Sequence, residues 1–155
     1  MTYVRKASVR ELSALLPLIA DYWAFESILP FDPQSVAASL ERLLSEPRLG
    51  GGWIAFAGEA PVGYLLAVYV FSLEHLGLTA EIDEFFVLPP ARATGVGSLL
   101  LKAAETEFAQ VGCTNVSLQL SRENHAGRRF YHRHGYGQRS RYELLEKTLP
   151  PGLGP

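Results

Sequence analysis

Phe85-Phe86-Val87-Leu88-Pro89-Pro90-Ala91-Arg92-Ala93-Thr94-Gly95-Val96-Gly97-Ser98 runs an apolar strand into a short turn that holds one arginine and two glycines. An apolar helix with Leu99, Leu100, Leu101, Ala103, Ala104 and Phe108 follows at once. A helix start presents unpaired backbone N–H groups and the positive end of the helix dipole. Glycines there let a phosphate approach the backbone, and the arginine adds a forked cation. The stretch reads as a grip for a phosphorylated ligand. The plainer alternative is a strand, turn and helix whose glycines only shape the turn.

Spacing narrows the ligand. A nucleoside-triphosphate loop needs a lysine after its last glycine, and Gly97 is followed by Ser98. A dinucleotide fingerprint needs a third glycine, where Leu100 stands. What remains is R-x-x-G-x-G, over Arg92-Ala93-Thr94-Gly95-Val96-Gly97. This hexapeptide resembles the pyrophosphate loop of the GCN5-related N-acetyltransferases, which bind acetyl-coenzyme A. Further on, Asn124-His125-Ala126-Gly127-Arg128-Arg129-Phe130-Tyr131-His132-Arg133-His134-Gly135-Tyr136 resembles that family's second signature, with Ala126 one position early. In physical terms it is a short helix. Asn124 is a suitable N-cap, Phe130 a core residue, and Gly135 a left-handed stop.

Composition fits this reading. The chain has 155 residues, 48% hydrophobic and 19% charged, which suits one globular domain over residues 1–149 with a frayed tail at 150–155. The longest apolar run, residues 62–71, is strand-sized and too short to span a bilayer. No signal-peptide core follows the N-terminus, and the single Cys113 excludes an internal disulfide and a cysteine metal site. A cytoplasmic protein without membrane contact is expected. Cys113 reads as a small hydrophobe rather than a nucleophile. His125, His132 and His134 lack metal-ligand spacing, so no metal is expected. The net charge of −2 argues against nucleic-acid binding. Residues 1–87 hold eleven acids and five bases, whereas residues 88–155 hold five acids and nine bases. A polyphosphate cofactor suits the basic half and a cationic substrate the acidic half.

The element order follows from periodicity and caps. A strand at residues 2–6 precedes the capping box Ser8-Val9-Arg10-Glu11 and a helix with Leu12, Leu15, Leu16, Ile19, Tyr22 and Trp23 on one stripe. Asp32-Pro33 opens a second helix. Gly50-Gly51-Gly52 reads as a flexible turn. Strands are expected at residues 53–57, 62–71 and 79–87, with a loop at 74–78. The phosphate-loop helix comes next, then a strand at 116–120, the Asn124 helix and a last strand at 142–149. The order β-α-α-β-β-β-α-β-α-β predicts an α/β (α+β) fold, a mixed and largely antiparallel sheet flanked by helices. The acetyltransferase family has the same order.

Acetyl transfer to an amine requires the amine to lose a proton. For an alkyl amine this costs about 4 to 5 kcal/mol at neutral pH, and a nearby carboxylate assists it. Glu81-Ile82-Asp83-Glu84 lies just before the loop. Plain alternation puts Glu81 and Asp83 on one face and Glu84 on the other, unless a bulge intervenes. The string Ile82-Asp83-Glu84-Phe85-Phe86-Val87 resembles the diamine acetyltransferase branch, in which the position of Asp83 faces the polyamine. Glu81 and Asp83 rank above Glu84 as the base.

The resemblance implies further roles. Tyr131 is the general acid to the departing thiolate. Backbone groups of Phe85, Phe86 and Val87 pair with the pantetheine arm, as does Asn124. Arg92, Ala93, Thr94, Gly95, Val96, Gly97 and Ser98 hold the diphosphate, with Arg128 also at the cofactor. The family has glycine where Ala93 stands, and a methyl group is tolerated there while φ stays negative. Three functions remain open: an N-acetyltransferase acting on a small cationic amine, a non-catalytic acetyl-coenzyme A sensor, and an acetyltransferase for protein amino groups. A homodimer is common among proteins that look like this one.

Overall fold

The computed structural model describes residues 1–152, so the end of the expected tail, 153–155, lies outside the described residues. The described residues fall into two compact units, one over Met1–Gln119 and one that begins at Leu120.

The first unit is built on a five-stranded sheet in sequential order: β1 (Thr2–Lys6), β2 (Gly50–Ala57), β3 (Ala60–Ser72), β4 (Gly77–Val87) and β5 (Val116–Leu118). The first four strands pair antiparallel, and β5 pairs parallel to β4. Helices α1 (Leu12–Phe25) and α2 (Pro33–Ser45) cover one face. Leu15, Leu18, Ile19 and Leu40 pack there against Ile54, Phe56, Tyr64, Leu66 and Phe86. Helix α3 (Val96–Gln110) covers the other face, where Phe108 meets the rings of Trp53 and Tyr69 edge-on. Leu100 and Leu101 are completely buried, and each such side chain contributes about 1.5 to 3 kcal/mol. Lys6 ties β1 to α3 through an ion pair with Glu107 and lies over the Trp53 ring.

The capping box forms as expected. Glu11 accepts from the Ser8 amide at 2.7 Å, and the Ser8 hydroxyl accepts in return at the start of a 3-10 turn, Val9–Glu11. Three expectations need correction. Gly50, Gly51 and Gly52 are not a turn but the buried start of β2. A Cβ on Gly50 would stand 1.9 Å from the Ala67 carbonyl oxygen, and one on Gly52 would meet Leu66 and Leu44 at 3.0 and 3.1 Å. The glycines are there because neighbouring strands and α2 come too close for side chains. Residues 77 and 78 belong to β4 rather than to a loop. No strand forms at residues 142–149: adjacent Leu144 and Leu145 do not alternate, and both are exposed.

The second unit contains α4 (His125–Arg133). Asn124 caps it, its Oδ1 accepting from the Gly127 amide at 2.9 Å. Gly135 takes the left-handed φ of 87° that ends it.

Candidate active site

A β-bulge arranges the three acids. The β3–β4 register passes from Leu66 opposite Glu84 to Ala67 opposite Ile82, leaving Asp83 without a cross-strand partner. The extra residue reverses the alternation. Glu81 lies opposite Val68 and Glu84 opposite Leu66, so both share the α1–α2 face with Tyr64. Plain alternation would have separated them.

Glu84 is half-buried and doubly held. Its Oε2 accepts from Trp23 Nε1 at 2.8 Å and its Oε1 from the Tyr64 hydroxyl at 2.9 Å. Burial pushes its carboxyl up, and the neighbouring charge of Asp83 adds to this, while the two donors pull it back. Burial also holds Tyr64 far above the ordinary phenol range, with the Glu84 charge reinforcing it, so its hydroxyl remains a donor. Tyr22, edge-on to Tyr64, is pushed up to about 12 by burial and by the charges of Glu26, Glu84 and Asp83. Asp83 is open to solvent, yet enough protein surrounds its carboxyl for desolvation to raise it. Glu81 is half-buried, with the Gln119 side-chain amide 3.5 Å from its Oε1.

Sequence reasoning places Trp23 only on the stripe of the first helix and passes over Tyr64. The available signal was a tyrosine inside an otherwise apolar buried strand, where a phenol needs a hydrogen-bond partner.

Past Val87, the chain turns through Pro89–Ala91 into an exposed loop and then α3. The β4–β5 register ends at Ile82 opposite Leu118, while β4 continues to Val87 paired with β3. Arg92 folds back so that its Nε donates to the Val87 carbonyl oxygen at 2.8 Å. Thr94 Oγ1 donates to the Ala91 carbonyl. Gly95 caps α3 with φ of 90°, and nothing lies within 4 Å of where its Cβ would be. A helix leaves its first amides unpaired, and amides of this kind suit an anionic group. Val96 is buried, and Gly97 and Ser98 are half-buried in the first turn. Ala93 has φ of 60°, so the negative φ at which a methyl group is tolerated there is not adopted. The backbone adopts the left-handed turn that glycine would favour, and the alanine bears the strain.

Asn124, Arg128 and Tyr131 lie in the second unit. Tyr131 stacks edge-on with Phe130 and Tyr136, at 5.3 and 5.5 Å between ring centroids. Among the described residues no cluster of His, Cys, Asp and Glu has the makings of a metal site, and no helix is long and apolar enough to cross a membrane.

The acetyltransferase (GNAT) family model matches residues 15–136, from α1 to the end of the second motif. The chain belongs to this family. By that membership it is an acetyl-coenzyme A-dependent acyltransferase. It is 39% identical over 77 residues to the aminoalkylphosphonate N-acetyltransferase of Salmonella typhimurium, a match spanning 50% of each chain. It is 29% identical to the uncharacterized N-acetyltransferase YhfO of Bacillus subtilis, over 86% of this chain and 88% of that one. Among solved structures, an integron cassette protein from a salt-marsh metagenome superposes with a TM-score of 0.84 at 26% identity, covering 96% of this chain and 91% of that one. The aminoglycoside N-acetyltransferase AAC(6')-Iy, solved with CoA, superposes at 0.83 with 19% identity and 96% coverage of each, a likeness of fold.

Proposed function

We propose that this protein transfers acetyl from acetyl-coenzyme A to the primary amine of a small cationic molecule, by direct attack in a ternary complex. The observation that carries the reading is the bulge at Asp83, which gathers carboxylates on the strand that runs directly into the phosphate loop. Arg92 and the loop residues from Ala93 to Ser98 bind the diphosphate, and residues 85–87 guide the pantetheine arm. Glu84, fixed by Trp23 and Tyr64, attracts the acceptor's ammonium group. Asp83 takes its proton, directly or through a water, with Glu81 as a flanking charge. An acid with a raised pKa suits this task, because a base works best when its pKa approaches the operating pH. From the second motif, Tyr131 protonates the departing thiolate, and Asn124 and Arg128 contact the cofactor. The diamine-like string at residues 82–87 supports a polyamine-type acceptor.

The match to an aminoalkylphosphonate enzyme favours a second acceptor class, an amine bearing an anionic group. The test is acetyl-coenzyme A-dependent thiol release with polyamines, aminoglycosides and aminoalkylphosphonates. Faster release with the cationic amines is expected. Release only with the phosphonates selects the second class. Cofactor binding with no release from any amine overturns the enzymatic reading in favour of a sensor.

A further inference from the structure

Arg92 is held on three sides within the first unit. Its Nε is occupied by the Val87 carbonyl oxygen at 2.8 Å. Its guanidinium carbon lies 5.2 Å from the Phe86 ring centroid and 5.3 Å from that of Phe25. The two rings are themselves 5.8 Å apart and tilted by 49°. Phe86 is buried and belongs to the core, which accounts for its presence. Phe25 does not: it is the last residue of α1 and is 54% exposed. Its ring contacts are those to Phe86 and to the Arg92 guanidinium.

An arginine on a surface loop loses much rotamer freedom when it grips an anion. One already laid across two aromatic faces has lost part of it beforehand, and the ring quadrupoles favour its charge. The Nε bond to Val87 leaves the terminal nitrogens of the fork for a ligand. We infer that Phe25 is a positioning residue for the phosphate loop: acting through Arg92, it orders the guanidinium that receives the diphosphate of acetyl-coenzyme A. This rests on the assignment of the loop to that diphosphate. It also gives the end of α1 two duties, since Trp23, two residues back, fixes Glu84.

Calorimetric titration of acetyl-coenzyme A, without amine, into four variants tests the inference. Phe25→Leu keeps an apolar side chain and removes the ring face, and is expected to weaken binding about two- to fivefold. Phe25→Tyr keeps the face and restores the wild-type affinity. In the Arg92→Ala background, Phe25→Leu has no further effect. Unchanged affinity in Phe25→Leu, failure of Phe25→Tyr to restore it, or an equal loss in the Arg92→Ala background overturns the inference while leaving the loop assignment intact. If Arg92→Ala alone leaves affinity unchanged, the loop assignment falls and the inference falls with it.

Discussion

The indole N–H of Trp23 meets the carboxylate of Glu84 at 2.8 Å, although the two residues stand 61 positions apart. The bond joins the end of α1 to the bulged segment of β4, and the Tyr64 hydroxyl completes it from β3. A half-buried carboxylate is tolerable when donors satisfy it. Held in this way, Glu84 is a fixed charge rather than a mobile one.

Trp23→Phe keeps an aromatic ring and deletes the donor, as Tyr64→Phe does for the hydroxyl. Each is expected to lower unfolding free energy by about 1 to 3 kcal/mol, because a charged acceptor loses a partner. Urea denaturation checks this: the midpoint falls and the slope is unchanged. Equal midpoints would mean that the bonds contribute nothing to the fold.

Asp83 titrates above its ordinary value of 3.8 because burial disfavours its charge. Between the unfolded and folded values the native state binds more protons, so this residue makes stability fall as pH rises through that window. The penalty is absent well below 3.8 and grows as pH rises through the window. Asp83→Asn is therefore expected to melt higher than wild type at pH 7, with the gap closing in acid, and to lose most of its turnover. A variant both less stable at pH 7 and fully active would contradict the role of Asp83.

Gly50 and Gly58 separate crowding from conformation. Both have positive φ, but a Cβ meets the Ala67 carbonyl oxygen at 1.9 Å in the first case and nothing within 4 Å in the second. Gly58→Ala is expected to cost about 1 to 2 kcal/mol, the left-handed penalty alone. Gly50→Ala adds strand displacement and is expected to cost several kcal/mol more or to prevent folding. Thermal melts of the two proteins give the comparison.

Ala93 carries a related strain at φ of 60°. Ala93→Gly relieves about 1 to 2 kcal/mol of it, partly offset by the greater freedom of glycine in the unfolded chain. A net gain of about 0.5 to 1 kcal/mol is expected in chemical denaturation. A loss would mean that the turn does not strain the alanine.

Local rules made much of the fold legible. Ser8 and Glu11 mark a helix start with their own side chains, and Gly95 and Gly135 mark turns through their own φ, so a short window of sequence suffices. The glycines at 50–52 were misread because their reason is remote: the backbone at Ala67 and the side chains of Leu66 and Leu44 exclude a Cβ. The bulge is likewise a property of a pair of strands, and nothing in Glu81-Ile82-Asp83-Glu84 alone says which residue is the extra one. Acids beside a phosphate loop could be read as a site, but not that Trp23 and Tyr64 would fix one of them.

The central claim is that Arg92 and the amino end of α3 hold the diphosphate of acetyl-coenzyme A. Calorimetry of the intact protein with that cofactor tests it most directly. Saturable one-to-one heat is expected, with affinity at least about tenfold weaker in Arg92→Ala, as for loss of a charge-assisted bond of about 1.5 to 3 kcal/mol. No heat, or the same affinity without the guanidinium, would contradict it.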